Sequence, residues 1–398
     1  MANEVTRAGV IGLGVMGFDI AFLYAMKGHR TLAYDASSAV AQSFASRVDG
    51  AIDRLGRRNR ISESEVENIR DRLTLAGSVD HLAGLDLVTE AVSENTGAKV
   101  SVYRSLREAG FKGILTSNTS SIPREFLLKG GSYERKKFAS THFFNPVLYT
   151  QMVEVVRGDM DEAAIGSTLS FLRKLGRNPV DTQDISGFVS NSVLMYYAVM
   201  ALHLLGSGAR IEQIDGIAKQ MGLLPPFLSF DSWKPSIVED VTRVMFEIRG
   251  DGFLRSSKLL RALAKDNPRF YVEQKPNQEI YKLVGEVARS PGESMITTAL
   301  RASIRVAAAR VVELGEDPRT VDFISADGLK IPHAPLKEID KTGAGALLDE
   351  LDEVSREMPE SNLGSPEILA AMSKERESFY KGGQPNSWIR SFVERRRS

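Results

Sequence analysis

Three glycines and one aspartate carry the first chemical signal in this chain. Gly12, Gly14 and Gly17 keep a G-x-G-x-x-G spacing between the apolar run Arg7 to Leu13 and the helical apolar periodicity of Ile20 to Met26. In such a turn the first glycine permits the reversal, the second lets a pyrophosphate approach the backbone, and the third lets helix and strand pack closely. Asp35 ends the next strand-like run, Thr31 to Tyr34, 21 residues beyond Gly14. A carboxylate there accepts from adenosine ribose hydroxyls and repels a 2′-phosphate, which favours NAD over NADP. The expected cofactor loop is Gly12, Leu13, Gly14, Val15, Met16 and Gly17, with Asp35 beside it. The bland alternative gives the glycines a packing role alone and makes Asp35 a solvated strand-end acid.

The elements that position these residues alternate. Leu85 to Thr89 and Gly113 to Thr116 read as two further buried strands, and strands separated by helical stretches imply a mostly parallel sheet covered on both faces. Ser37 to Leu73 is long, polar and helical, and holds Arg54, Arg57, Arg58 and Arg60 between two helices, a pair expected to project from the sheet. From about Phe188 the composition turns helix-forming. There SSKLLRALAKDNPRFY at 256–271 matches SPEILAAMSKERESFY at 365–380, an offset of 109 that also takes Asp231 to Asp340 and Gly206 to Gly315. Asp215 pairs with Asp322 once two loop residues are dropped. Ordered matches over such a length argue for duplication. The expected fold is α/β, a Rossmann-type dinucleotide-binding domain at 1–184, followed by two tandem all-helical domains at 185–290 and 291–398. The step Pro291-Gly292 marks the second join.

Composition narrows the function classes. Of 398 residues, 42% are hydrophobic and 26% charged, which suits a globular protein of two or three domains. Lys plus Arg equals Asp plus Glu at 51 each, so nothing steers the whole molecule toward nucleic acid or an anionic membrane. The absence of cysteine excludes disulfides, thiolate nucleophiles and Cys-ligated metals. No secretory signal or membrane-spanning apolar run is visible, and a cytoplasmic location is expected.

Longer strings sharpen this. IGLGVMG at 11–17, EAVSENTGAK at 90–99, SNTSS at 117–121, HFFNPV at 142–147, VEVVRG at 153–158 and DISGFVSN at 184–191 stand in an order and spacing that resembles the 3-hydroxyacyl-CoA dehydrogenase family over residues 5 to 231. The duplicated helical region resembles the tandem C-terminal domains of the multifunctional fatty-acid oxidation proteins. No segment of hydratase size is present, so no hydratase activity is expected. The resemblance implies fatty-acid β-oxidation chemistry: an (S)-3-hydroxyacyl-CoA and NAD give 3-oxoacyl-CoA, NADH and a proton, with no metal.

Within that resemblance His142 is the general base, since alcohol oxidation needs a proton acceptor titrating near the operating pH. Glu154 is its partner, fixing the imidazole tautomer and stabilising the imidazolium. Ser120 is expected to bond the substrate hydroxyl or the nicotinamide side, and Asn191 to place the reacting oxygen beside His142. Helix capping is the alternative for both. Asn118 shares the Ser120 loop with a weaker case. Asn145 is expected to face the nicotinamide, its alternative being a turn with Pro146. Glu94 and Lys99 match cofactor-contacting positions, Glu94 accepting from a ribose hydroxyl and Lys99 donating to the ribose or carboxamide; the ordinary alternative is a surface ion pair. Glu90 is assigned to shaping its strand end. Arg58, in the arginine cluster, aligns with a coenzyme-contacting lysine, and the alternative is a solvated charge run.

Departures from the family also bear on function. Asp19 replaces a glycine, and either opposes the pyrophosphate or stabilises the free N–H groups of a helix start. Ala51 replaces a coenzyme-contacting serine, Ser186 a proline, Ser192 an arginine beside Asn191, and Pro225 a glycine. These changes surround the acyl pocket more than the hydride chemistry and suit an unusual acyl chain. In the second repeat Leu300 falls where Asn191 stands in the first, so no second active site is expected. A monomer is expected, its duplicated helical face buried internally, with a homodimer as the alternative. Competing readings are oxidation of a free hydroxy acid or small alcohol, and an NAD-binding sensor without turnover.

Overall fold

The computed structural model describes residues 4–285 and 290–397. The chain divides into two compact units, Met1–Asp184 and Ile185–Ser398. The join expected near 290 adjoins residues 286–289, which lie outside the described set.

The first unit runs β1 (Arg7–Ile11), α1 (Val15–Met26), β2 (Arg30–Tyr34), α2 (Ser38–Gly56), α3 (Glu63–Arg72), β3 (Leu73–Leu75), β4 (Leu87–Glu90), α4 (Thr96–Glu108) and β5 (Ile114–Ser117). It continues with α5 (Arg124–Leu127), β6 (Phe138–Phe143), β7 (Met152–Val156), α6 (Glu162–Lys174) and β8 (Asn178–Asp181). Eight strands form one sheet in the order β3-β2-β1-β4-β5-β6-β7-β8. The strands from β3 to β6 are parallel, and β7 turns antiparallel to β6. Strands β4, β5, β6 and β7 are buried at every residue, as a sheet covered on both faces requires. Helix α1 is apolar almost all round because it is enclosed, and α3 packs on it; Lys27 of the adjoining turn pairs with Glu65 at 2.7 Å. Sequence dictates the entry to α3 directly: Ser62 and Glu65 close a capping box.

The second unit is helical. It contains α7 (Ser190–Gly206), α8 (Ile211–Gln220), α9 (Pro226–Trp233), α10 (Pro235–Arg249), α11 (Lys258–Asp266), the hairpin β9–β10 (Tyr271–Val272, Lys275–Pro276) and α12 (Gln278–Val284). Then follow α13 (Glu293–Glu313), α14 (Pro318–Phe323), α15 (Pro335–Thr342), α16 (Ala344–Glu357), α17 (Glu367–Glu375), the hairpin β11–β12 (Tyr380–Lys381, Gln384–Pro385) and α18 (Ser387–Arg397). Helices α7 and α13, both largely buried, pack on each other at its centre.

Matched aspartates make matched hydrogen bonds. Asp231 accepts from the backbone N–H of Phe270 (2.6 Å) and Tyr271 (3.1 Å), while Asp340 accepts from Phe379 (2.8 Å) and Tyr380 (2.9 Å). Asp215 takes the N–H of Phe227 and the Tyr271 hydroxyl, both at 2.9 Å; Asp322 takes the N–H of Leu336 at 2.9 Å and the Tyr380 hydroxyl at 2.8 Å. These carboxylates satisfy helix-start and hairpin N–H groups that burial would otherwise leave unpaired.

Candidate active site

The glycine loop joins β1 to α1. Gly12 has φ +87°, and a Cβ there would lie 2.7 Å from Val92 N. At Gly17 a Cβ would stand 1.7 Å from Gly12 O, so helix and strand touch only because no side chain intervenes. Around Gly14 a Cβ would meet nothing within 4 Å, and that open side is room for a pyrophosphate. Asp35 Oδ2 accepts from Leu13 N at 2.7 Å and its Oδ1 from Ser37 N at 2.8 Å, which seats the carboxylate against the loop. Val15 is exposed and Met16 half-buried. The residues present therefore fit a dinucleotide.

Arg47, which sequence reasoning missed, ties the loop from its other side. Its guanidinium donates to the carbonyls of Leu13 (2.6 Å) and Gly14 (3.0 Å) and lies 4.1 Å from the centre of the Phe18 ring. Nothing in the polar Ser37 to Leu73 stretch distinguishes it; only folding back of α2 brings it there. Asp19 does not serve the start of its helix. Helix α1 begins at Val15 and has no acid in its first turn, so Asp19 comes too late to serve the free N–H groups. Burial raises its pKa, opposed by the charges of Arg54 and Arg47.

His142 and Glu154 face each other across the β6–β7 ladder. The antiparallel register brings these residues, twelve apart in sequence, directly opposite. Nδ1 of His142 lies 2.9 Å from Glu154 Oε2, with His142 7% exposed and Glu154 fully buried. A carboxylate accepting at Nδ1 leaves Nε2 as the nitrogen that exchanges a proton. Phe143 N donates to Asn118 Oδ1 at 2.9 Å, which fastens the loop after β5 to the strand carrying the imidazole.

Glu94 organises that loop. Its Oε1 accepts from Thr119 Oγ1 (2.7 Å), Ser120 N (2.8 Å), Ser121 N (2.7 Å) and Ser121 Oγ (2.9 Å). Burial works against its charge, but Lys99 and these donors hold its pKa below the ordinary value. The expected ion pair of Glu94 and Lys99 exists, at 3.4 Å, yet it is buried rather than on the surface and includes Glu90 at 2.8 Å. Lys99 also donates to Val92 O at 3.2 Å, so its donors are taken up inside the protein. Burial opposes its charge, and the two carboxylates nonetheless raise its pKa. Glu90 further accepts from Tyr103 Oη and Ser117 Oγ, both at 2.7 Å, shaping the ends of β4 and β5.

Capping accounts for neither Ser120 nor Asn191. The helix after SNTSS starts only at Arg124 behind Pro123, and Asn191 lies inside the first turn of α7, whose N-cap is Val189. Asn191 belongs to the second unit and is 8% exposed. Asn145 precedes Pro146 in a cis peptide, and Pro146 O accepts from Tyr149 N and Thr150 N, so the hydrogen-bonded turn starts one residue after Asn145. Arg58 lies in the exposed turn between α2 and α3, with Arg54, Arg57 and Arg60 also exposed. Ala51 is 2% exposed and packs in the core with Ile52 and Leu55.

The family model for the 3-hydroxyacyl-CoA dehydrogenase NAD binding domain matches residues 7–185, and that for the C-terminal domain matches 187–282. The chain is 31% identical over 224 residues to a fatty acid oxidation complex subunit alpha from Pseudomonas savastanoi, matching 56% of this chain and 31% of that protein. It thus spans about a third of the length of that relative. An (S)-3-hydroxybutyryl-CoA dehydrogenase from Ralstonia eutropha is 28% identical, with a TM-score of 0.59 over 66% of this chain and 94% of the other. A 3-hydroxybutyryl-CoA dehydrogenase from Escherichia coli, 20% identical, shares the fold with a TM-score of 0.75 over 94% of this chain and all of the other. With the glycine loop, the buried histidine–glutamate pair and both family domains in one chain, this protein belongs to the 3-hydroxyacyl-CoA dehydrogenase family.

Proposed function

We propose that the protein oxidises the 3-hydroxyl of an (S)-3-hydroxyacyl thioester carried on coenzyme A, with His142 as general base. The observation that carries this reading is the buried 2.9 Å contact of His142 Nδ1 with Glu154, in the unit that carries the family's NAD-binding domain. His142 Nε2 takes the hydroxyl proton, and Glu154 stabilises the imidazolium so formed. Bound NAD supplies the hydride acceptor. Gly12 to Gly17 and Asp35 hold the cofactor, Ser120 and Asn145 stand on its nicotinamide side, and Ser120 and Asn191 hold the reacting oxygen. Glu94 and Lys99 serve the same site by fixing the loop of Ser120. Arg58 is assigned to the coenzyme phosphates.

The same proposal divides the chain at 1–184, 185–290 and 291–398, makes it a cytoplasmic monomer, and gives the second helical repeat no active site of its own. The test is initial-rate NADH formation with (S)-3-hydroxyacyl-CoA esters of several lengths, the matching free acids and an NADP control. CoA-dependent turnover that falls about 100-fold or more in His142→Ala is the expected result. Activity on free acids alone would move the substrate to a hydroxy acid, and NAD binding without turnover would make the protein a sensor.

A further inference from the structure

Two departures from the family, Ser186 and Ser192, flank Asn191, and one side chain bonds to both. Arg249, the last residue of α10, donates from Nη2 to the carbonyl of Ser186 and to Ser192 Oγ, the latter at 2.6 Å. Ser192 Oγ in turn donates to the carbonyl of Phe188. The segment so held carries backbone strain at Phe188, a bulky residue with φ +47°, which follows Gly187 at φ +78°. A turn of that kind persists only where its surroundings over-determine it.

A second polar cluster joins α7, α13 and the turn after α10. Asp251, two residues beyond Arg249, accepts from the Tyr196 hydroxyl of α7 and lies 3.3 Å from Arg310 Nε of α13, whose Nη2 donates to Gly364 O at 3.1 Å. Asp251 thus pairs with Arg310, and its charge also favours the charged form of Arg249, which the charge of Arg310 opposes. Burial pushes the Arg249 pKa down to about 10, which leaves it charged at neutral pH. Its Nε and Nη1 are buried and have no hydrogen-bond partner among the described residues, a cost that stabilisation of the fold alone does not explain.

We propose that Arg249 is a positioning residue for Asn191, supplying from α10 the guanidinium that the family carries at position 192. This rests on the role given to Asn191 above. Ser192 is fully buried and its hydroxyl meets the Arg249 guanidinium, so exchanging the two side chains keeps volume and charge in place.

The experiment compares wild type, Arg249→Met, Arg249→Lys and the double variant Ser192→Arg/Arg249→Ser, by amide hydrogen exchange over 186–193, NAD affinity and steady-state rates. Arg249→Met is expected to exchange faster there and to lose about 10–100-fold in kcat while NAD affinity stays put, since a small misplacement of a reacting group has that effect. Arg249→Lys, which keeps charge without the planar fork, falls between. The double variant regains slow exchange and most of the rate. Wild-type exchange and kcat in Arg249→Met would overturn the proposal, as would a folded double variant as slow as Arg249→Met. If wild type oxidises no 3-hydroxyacyl thioester the functional reading fails by itself, and exchange over 186–193 still decides the role of Arg249.

Discussion

A carboxamide in place of Glu154 would present N–H groups to His142 Nδ1 where a carboxylate oxygen now lies 2.9 Å away. Nδ1 would then accept, the proton would sit on Nε2, and the nitrogen needed as base would be blocked. Glu154→Gln is therefore expected to lower kcat on the order of 100-fold or more. NAD affinity, measured by fluorescence titration, should not change, because the role proposed for the pair is proton transfer and not cofactor binding. Loss of NAD binding instead would mean that Glu154 supports the fold. The Glu94 network shows why residue type alone misleads: an exposed-looking glutamate five residues before a lysine is, in the fold, the acceptor that closes the loop of Ser120. No local pattern announces that, since the donors come from residues 119–121 on another strand end.

At the scale of elements, the two helical copies test each other. Lys234, between α9 and α10, has φ 67° and ψ 136°, and its equivalent between α15 and α16 is Gly343 with φ 85° and ψ 146°. A side chain is strained there and glycine is not. Lys234→Gly should therefore stabilise by about 1 kcal/mol, read as a higher urea midpoint at constant m; a lower midpoint would show that Lys234 makes a compensating contact. His203 in α7 lies against the Phe253 ring, and burial lowers its pKa from 6.5 to about 4. The unfolded chain then binds more protons between those values, so stability is complete above about pH 6.5 and is lost as pH falls toward 4. Replacing it, as His203→Leu, should reduce the loss of unfolding free energy between pH 7 and pH 5 by about 2 kcal/mol. An unchanged pH dependence would mean that the imidazole is solvated.

For the whole molecule, the internal pairing of α7 with α13 bears on assembly. Leu300, at the place of Asn191 in the second copy, is fully buried, so α13 spends that position on packing. The proposed monomer would use this pairing to cover an apolar helical face within one chain. Light scattering is expected to give 43.8 kDa independent of concentration. Twice that mass would show that a further face of the helical unit self-associates.

Local chemistry made the dinucleotide loop legible: Gly12, Gly14, Gly17 and Asp35 act through backbone shape and a strand end, and both are written in consecutive residues. The duplication was legible too, because matched aspartates recur at a constant offset and each caps its own neighbourhood. His142 and Glu154 were singled out by resemblance; what joins them is the antiparallel register of β6 and β7, a long-range pairing that a twelve-residue spacing does not imply. Arg47 on the loop carbonyls and Arg249 beneath the α7 turn lay beyond any motif, since a long cationic side chain can reach many places and only packing selects one. The sequence by itself determined which groups could do chemistry; the tertiary structure decided which of them are held still, because that depends on hydrogen bonds between segments far apart along the chain.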